Sequence, residues 1–169
     1  MTNNIEAYLD IETTGLSAEY NEITVVGIYV TGGKEDRFIQ LVGHDITGDA
    51  ILESMEGVKR FFTYNGHRFD LPFIRIRHGV NLETCFDHDD LMNHCWERKL
   101  FGGLKAVERC LGIERRIKEM NGLEAIRLWW QYVNNYDQEA LRILLEYNRE
   151  DVINLKLLRD KVCGNAYPL

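Results

Sequence analysis

The chain has only two prolines, no paired cysteine motif, no long apolar run and no excess of positive charge. With Pro72 and Pro168 alone, and with no repeat or low-complexity stretch, there is no sign of a flexible linker. Cys85, Cys95, Cys110 and Cys163 are scattered without a CxxC pair, which argues against a redox motif and for free thiols in a reducing compartment. No apolar segment approaches the ~18 residues of a membrane helix. The opening MTNNIEAY has neither a basic start nor an apolar core, so no secretion signal and a cytoplasmic protein are expected. A formal net charge of −7 excludes a protein that coats nucleic acid through its bulk field. It leaves room for an enzyme that grips phosphate locally through metal ions, because bound cations invert the local electrostatics.

What is present suits one domain spanning residues 1–169, since 45% hydrophobic and 28% charged residues are the balance of an ordinary soluble core and surface. The first third reads as strands: IEAYLDIET, then NEITVVGIYV, then RFIQLVG after the turn TGGKED. A short helix near Asp49–Val58 and a buried strand RFFTYN follow. FDLPFIRIRHG predicts a helix with Pro72 in its first turn and Gly79 as its stop. LETCFD is expected to be a short strand. Helices are expected at Leu91–Lys99, Leu104–Cys110, Leu123–Asn134 and Gln138–Val162, the last from leucines and isoleucines at helical spacing. The order predicts an α/β fold, a mixed sheet flanked by helices.

Within this frame three segments carry isolated carboxylates. In YLDIETTGL, Asp10 and Glu12 stand two apart on a strand and point to the same face. Side by side they repel, and a cation shared between them relieves the repulsion. Asp70 follows a strand and a glycine turn in FFTYNGHRFDLPFI, where it could also serve as a helix N-cap. Asp151 lies mid-helix in LLEYNREDVINL, one turn after Tyr147; a solvated i,i+4 pairing and core packing are the plainer roles for these two.

YLDIETTGL, YNGHRFD and YNREDV resemble the three motifs of the DEDD superfamily of 3′–5′ exonucleases, which has a ribonuclease-H-like fold. One branch of that superfamily places His five residues before the last Asp; here that position is Glu146. The other places Tyr four residues before it; here that is Tyr147. The chain therefore resembles the tyrosine branch, which includes the proofreading domains of family B DNA polymerases. FGGLKAVERCLGIERR and EYNREDVINLKLL are similar, in order, to segments of a stand-alone exonuclease family related to those domains.

The resemblance implies a two-metal phosphodiesterase with Mg²⁺ or Mn²⁺, the ions suited to all-oxygen ligands. It implies that Asp10, Glu12 and Asp151 hold one ion, that Asp10 bridges to a second, and that Asp70 acts on the second. Tyr147 would orient the attacking water, because a phenol with a pKa near 10 is a poor base at neutral pH. The expected substrate is the 3′ end of single-stranded DNA or RNA, released as nucleoside 5′-monophosphates. An RNA-trimming enzyme and a non-catalytic binding module are the alternatives, and a partner protein or homo-oligomer stays open. Thr13, Thr14, Gly15 and Leu16 are candidates to meet the terminal nucleotide, Leu16 as a wedge on the last base. Asn65, His67 and Phe69 are candidates for sugar or base contacts, with a turn role for Asn65 and a core role for Phe69 as the plainer readings. Lys105 or Arg68 could neutralise a phosphate or lie on the surface. Cys85, His88, His94 and Cys95 fit no zinc spacing. Asp89 or Asp90 is expected to cap a helix; Trp129 and Trp130 could stack on nucleic acid but are expected as core and partner surface; Arg115, Arg116 and Lys118 could line a strand-binding groove but are expected to be solvated.

Overall fold

Five strands form one mixed sheet in the computed structural model, which describes residues 4–164. They are β1 (Glu6–Thr13), β2 (Ile23–Thr31), β3 (Arg37–Val42), β4 (Arg60–Thr63) and β5 (Asp87–Asp90), in the spatial order β3-β2-β1-β4-β5. The pairs β1–β2 and β2–β3 are antiparallel; β1–β4 and β4–β5 are parallel. β1 is thus the strand where the sheet changes direction, and the carboxyl ends of β1 and β4 open side by side. Such switch points are where open α/β sheets bind ligands.

Alternation along β1 divides the molecule. Ala7, Leu9 and Ile11 pack into a core with α1 (Gly48–Ser54) and α2 (Asp70–His78), together with Val26, Ile28 and Phe61. Tyr8 points to the other side, where Phe62, Leu155 and Leu158 form a second core beneath α6 (Gln138–Cys163). α6 buries Leu144, Tyr147, Asp151, Leu155, Leu158 and Val162, a stripe at helical spacing that crosses β1 and β2. Asp137 starts it by accepting hydrogen bonds from the Glu139 and Ala140 amides, both 3.1 Å. α3 (Leu91–Glu97), α4 (Leu104–Leu111) and α5 (Gly122–Asn135) complete that layer.

The expected strands and helices are present, with one correction: LETCFD is not a strand. Leu82–Thr84 form a 3-10 turn, and the strand is Asp87–Asp90. That strand reads DHDD and has no apolar alternation; its backbone pairing to β4 makes it a strand, at the sheet edge. Asp90 does cap α3, accepting from the Met92 amide at 3.1 Å. Gly79 ends α2 in the left-handed region at φ 71°. Pro168 lies outside the described residues.

Candidate active site

The face of β1 that carries Tyr8 also carries Asp10 and Glu12. α6 crosses over them and brings Asp151, so that oxygens of Asp10, Glu12 and Asp151 lie within 4.8 Å of one another. The close approach depends on Gly27, which pairs with Asp10 on β2: a Cβ there would stand 2.2 Å from Asn148 Oδ1. Asn148 uses that space to donate to the Asp10 carbonyl at 3.2 Å and to Asp10 Oδ2 at 3.3 Å. Gln40 on β3 in turn donates to Asn148 Oδ1 at 3.0 Å.

Asp70 arrives from the other layer. β4 pairs with β1 only as far as Tyr8, and past that point Asp70 Oδ1 accepts from the Ile11 amide at 3.2 Å. The first residue of α2 therefore holds the end of β1 and lines the cleft. It does not cap its own helix; the N-cap position is Phe69 and makes no side-chain bond.

The four carboxylates share a cleft of about 570 Å³. Burial, then repulsion from Asp151 and Asp70, pushes Asp10 and Glu12 well above the usual carboxylate range. Burial raises Asp70 to about 7 against the pull of the backbone amides it accepts from. Asp151 rises to about 6, burial outweighing the Arg115 guanidinium beside it. So much mutually repelling charge in one buried cup fits a divalent cation, and a donor set of carboxylate oxygens alone suits a small hard ion.

Tyr147 lines the same cleft one turn before Asp151. Burial and the three carboxylates around it hold its phenol well above 10, so it stays protonated. Lys105 Nζ donates to its oxygen at 2.9 Å, which leaves the phenolic O–H free to point elsewhere. Lys105 also donates to the Met120 carbonyl. It stands behind the tyrosine rather than on the cleft wall.

Of the other sequence candidates, Thr13, Gly15, Leu16, Asn65 and Phe69 line the cleft. Leu16, 87% exposed, and Leu123 of α5, 78% exposed, both line it. Phe69 also packs against Phe73 at 4.9 Å, so its core and cleft roles coexist. Thr14 instead closes the β1–β2 turn, bonding to both the carbonyl and the amide of Glu22. His67 points away from the cleft toward Glu83, and Arg68 stacks over Trp96. Cys85, His88, His94 and Cys95 are not gathered: His94 bonds to Asp89 at 2.7 Å and Cys95 is core.

Arg115 corrects the reading of its basic cluster as solvated. Its side chain is only 7% exposed, donates to both oxygens of Glu108 at 2.9 and 2.8 Å, and pairs with Asp151. Glu108 is itself buried and also accepts from Asn154 at 3.0 Å. Sequence reading missed Arg115, Asn148 and Glu108. The signal for Asn148 was available, as the second residue of YNREDV; nothing in local spacing marks Glu108 or Arg115.

A family model described as RNase_H superfamily matches residues 7–163. The chain belongs to the RNase H superfamily. It is 27% identical over 170 residues to the Bacillus subtilis protein YprB, covering 88% of this chain and 39% of YprB. The fold is shared with a family B DNA polymerase from Pyrobaculum calidifontis, at TM-score 0.71 and 16% identity over 93% of this chain and 24% of the polymerase. It is shared also with Brucella melitensis NrnC bound to pGG, at TM-score 0.63 and 19% identity over 95% of this chain and 74% of that one. The chain thus spans well under half the length of YprB and of the polymerase. The ribonuclease-H-like fold expected from the three acidic motifs is the fold found.

Proposed function

We propose that this RNase H superfamily chain is a metal-dependent 3′–5′ exonuclease that hydrolyses terminal phosphodiesters of single-stranded nucleic acid, DNA foremost. The observation that carries the reading is the convergence of Asp10, Glu12 and Asp151 oxygens within 4.8 Å, beside Asp70 and under Tyr147. Three remote segments, each with a carboxylate in apolar surroundings, meet in one cleft. The shared fold with a DNA polymerase and with NrnC bound to pGG supports a nucleic-acid substrate.

In this reading Asp10, Glu12, Asp70 and Asp151 would hold the metal, as Mg²⁺ or Mn²⁺. A pair of such ions, when bound, stabilises the charge on the attacking and leaving oxygens of a phosphoryl displacement. Asn148 fixes the Asp10 carboxylate and Arg115 fixes that of Asp151, so the ligands are preorganised. Tyr147, kept protonated and fed from behind by Lys105, donates its O–H to the attacking water and positions it. Leu16 and Leu123, both exposed and both lining the cleft, offer apolar surface to an unpaired base.

The test is a labelled oligonucleotide blocked at its 3′ or its 5′ end, offered as DNA and as RNA with Mg²⁺, Mn²⁺ or EDTA. Stepwise release of mononucleotides from free 3′ ends, abolished by EDTA, is expected, with DNA the faster. Faster RNA cleavage would reassign the substrate, and no metal-dependent cleavage of either would leave a binding module.

A further inference from the structure

On the far side of the β4–α2 turn, His67, Glu83 and His88 bring one ligand atom each within 4.8 Å of the others. They come from three segments: the turn after β4, the 3-10 turn at Leu82–Thr84, and the edge strand β5. Glu83 Oε1 faces His67 Nδ1 at 3.0 Å and His88 Nδ1 at 3.5 Å. The second distance is long for a hydrogen bond. Ligands on a tetrahedral zinc with bonds of ~2.0–2.1 Å stand ~3.3 Å apart, and the two distances bracket that spacing.

The other nitrogen of His88 is also placed for the task. His88 Nε2 lies 2.8 Å from Thr63 Oγ1, on a threonine that is fully buried. A metal-bound imidazole characteristically donates its remaining N–H to such a partner, which fixes the ring and its tautomer. The ring is further held by stacking on Phe61 at 4.7 Å. The position of Thr63 is tightly defined, since a Cβ on Gly66 would lie 2.2 Å from its hydroxyl.

We propose that His67, Glu83 and His88 form a second metal site, distinct from the carboxylate cup, that takes a zinc-class ion with water in the fourth position. Two imidazoles and one carboxylate select a borderline transition metal, whereas the all-oxygen cup selects a hard ion. The ion ties the β4–α2 turn to the edge of the sheet. That turn carries Asn65 of the cleft and leads into Asp70, and it already bonds to β5 through the Asn65 and His67 amides on Asp90, at 2.8 and 3.2 Å. The site is independent of the exonuclease reading and stands whether or not the cup is catalytic.

The experiment is a zinc titration of metal-free protein against a chromophoric chelator. Cys85 and Cys110, the exposed thiols, are replaced by serine to remove competing ligands. One zinc per chain is expected, with a rise in melting temperature on binding. Thr63→Val should weaken binding ~10- to 100-fold, the usual effect of losing an outer partner. His67→Ala and Glu83→Gln, at exposed positions, should weaken it at least as much. Asp10→Ala should retain the zinc. X-ray absorption at the zinc edge should show nitrogen and oxygen ligands. Equal affinity in the parent protein and in His67→Ala, loss of zinc in Asp10→Ala, or no uptake at micromolar zinc would overturn the proposal, leaving a hydrogen-bonded His–Glu–His cluster.

Discussion

On one side of β1, Ala7, Leu9 and Ile11 are buried among the side chains of α1 and α2; on the other, the four positions on the face toward α6 are Glu6, Tyr8, Asp10 and Glu12, three of them acidic. The strand is continuous and its backbone is paired on both edges over its first half. What differs is the load on each face. The apolar face removes hydrocarbon from water and stabilises the fold. The acidic face buries like charges, whose raised pKa values register a cost in the absence of a cation. Period-two alternation lets a single strand anchor a core and a charged cup without either intruding on the other.

The sharpest way to break that contrast is to remove one carboxylate. Asp10→Ala should abolish nuclease turnover, by about a thousandfold or more if the lost ion supplies several kcal/mol. The metal-free variant should melt no lower than the parent, because a repelling charge has gone. Oligonucleotide cleavage and a melting curve in EDTA measure the two arms. Activity that survives the substitution would remove Asp10 from the site.

Substitution on the opposite face should do the reverse. Leu9 is fully buried in the core with α1 and α2, and Leu9→Ala should cost ~2–5 kcal/mol of stability. At a temperature where the variant remains folded, cleavage per folded molecule should change little. Chemical denaturation paired with an activity assay separates the two effects. A large fall in activity without a fall in stability would mean that the two faces are not independent.

Tyr147→Phe sharpens the comparison within the acidic side. The ring keeps its place while the O–H is lost, and so is the bond from Lys105. Losing one positioned donor should lower turnover about a hundredfold while substrate binding holds, seen as a fall in kcat with KM nearly constant. A fall as deep as that of Asp10→Ala would make the phenol more than a positioning group.

How much of this was legible in the sequence follows the same division. Both faces of β1 could be read, because alternation of apolar and acidic residues is a local signal; so could α6, whose apolar stripe repeats at helical spacing. β5 could not. Its four residues, DHDD, owe their conformation to parallel pairing with β4, where each partner lies 27 residues earlier and leaves no local pattern. Arg115 was hidden for a related reason. A run of basic residues looks solvated until the fold supplies Glu108 and Asp151, one from α4 and one from α6, to surround one member of it. His67 was read with the cleft because it sits in the motif between Asn65 and Asp70, yet the turn sends it to the opposite side.

The smallest effect concerns pH, and its sign is the reverse of ordinary acid denaturation. In the folded chain Asp70 holds its proton up to about 7, whereas an unfolded aspartate releases it near 3.8. Between those values the folded state binds more protons than the unfolded state, so stability falls as pH rises through the window. Asp151 adds the same slope up to about 6. In EDTA the melting temperature should therefore decline from about pH 4 to about pH 7. Asp70→Asn, which keeps an oxygen for the Ile11 amide, should flatten the decline. A divalent ion competes with these protons, so added Mg²⁺ should stabilise the protein more at the alkaline end than at the acid end. A melting temperature that climbs with pH in EDTA, or a Mg²⁺ effect that is the same at both ends, would show that the carboxylate cup does not carry the charge strain its geometry implies.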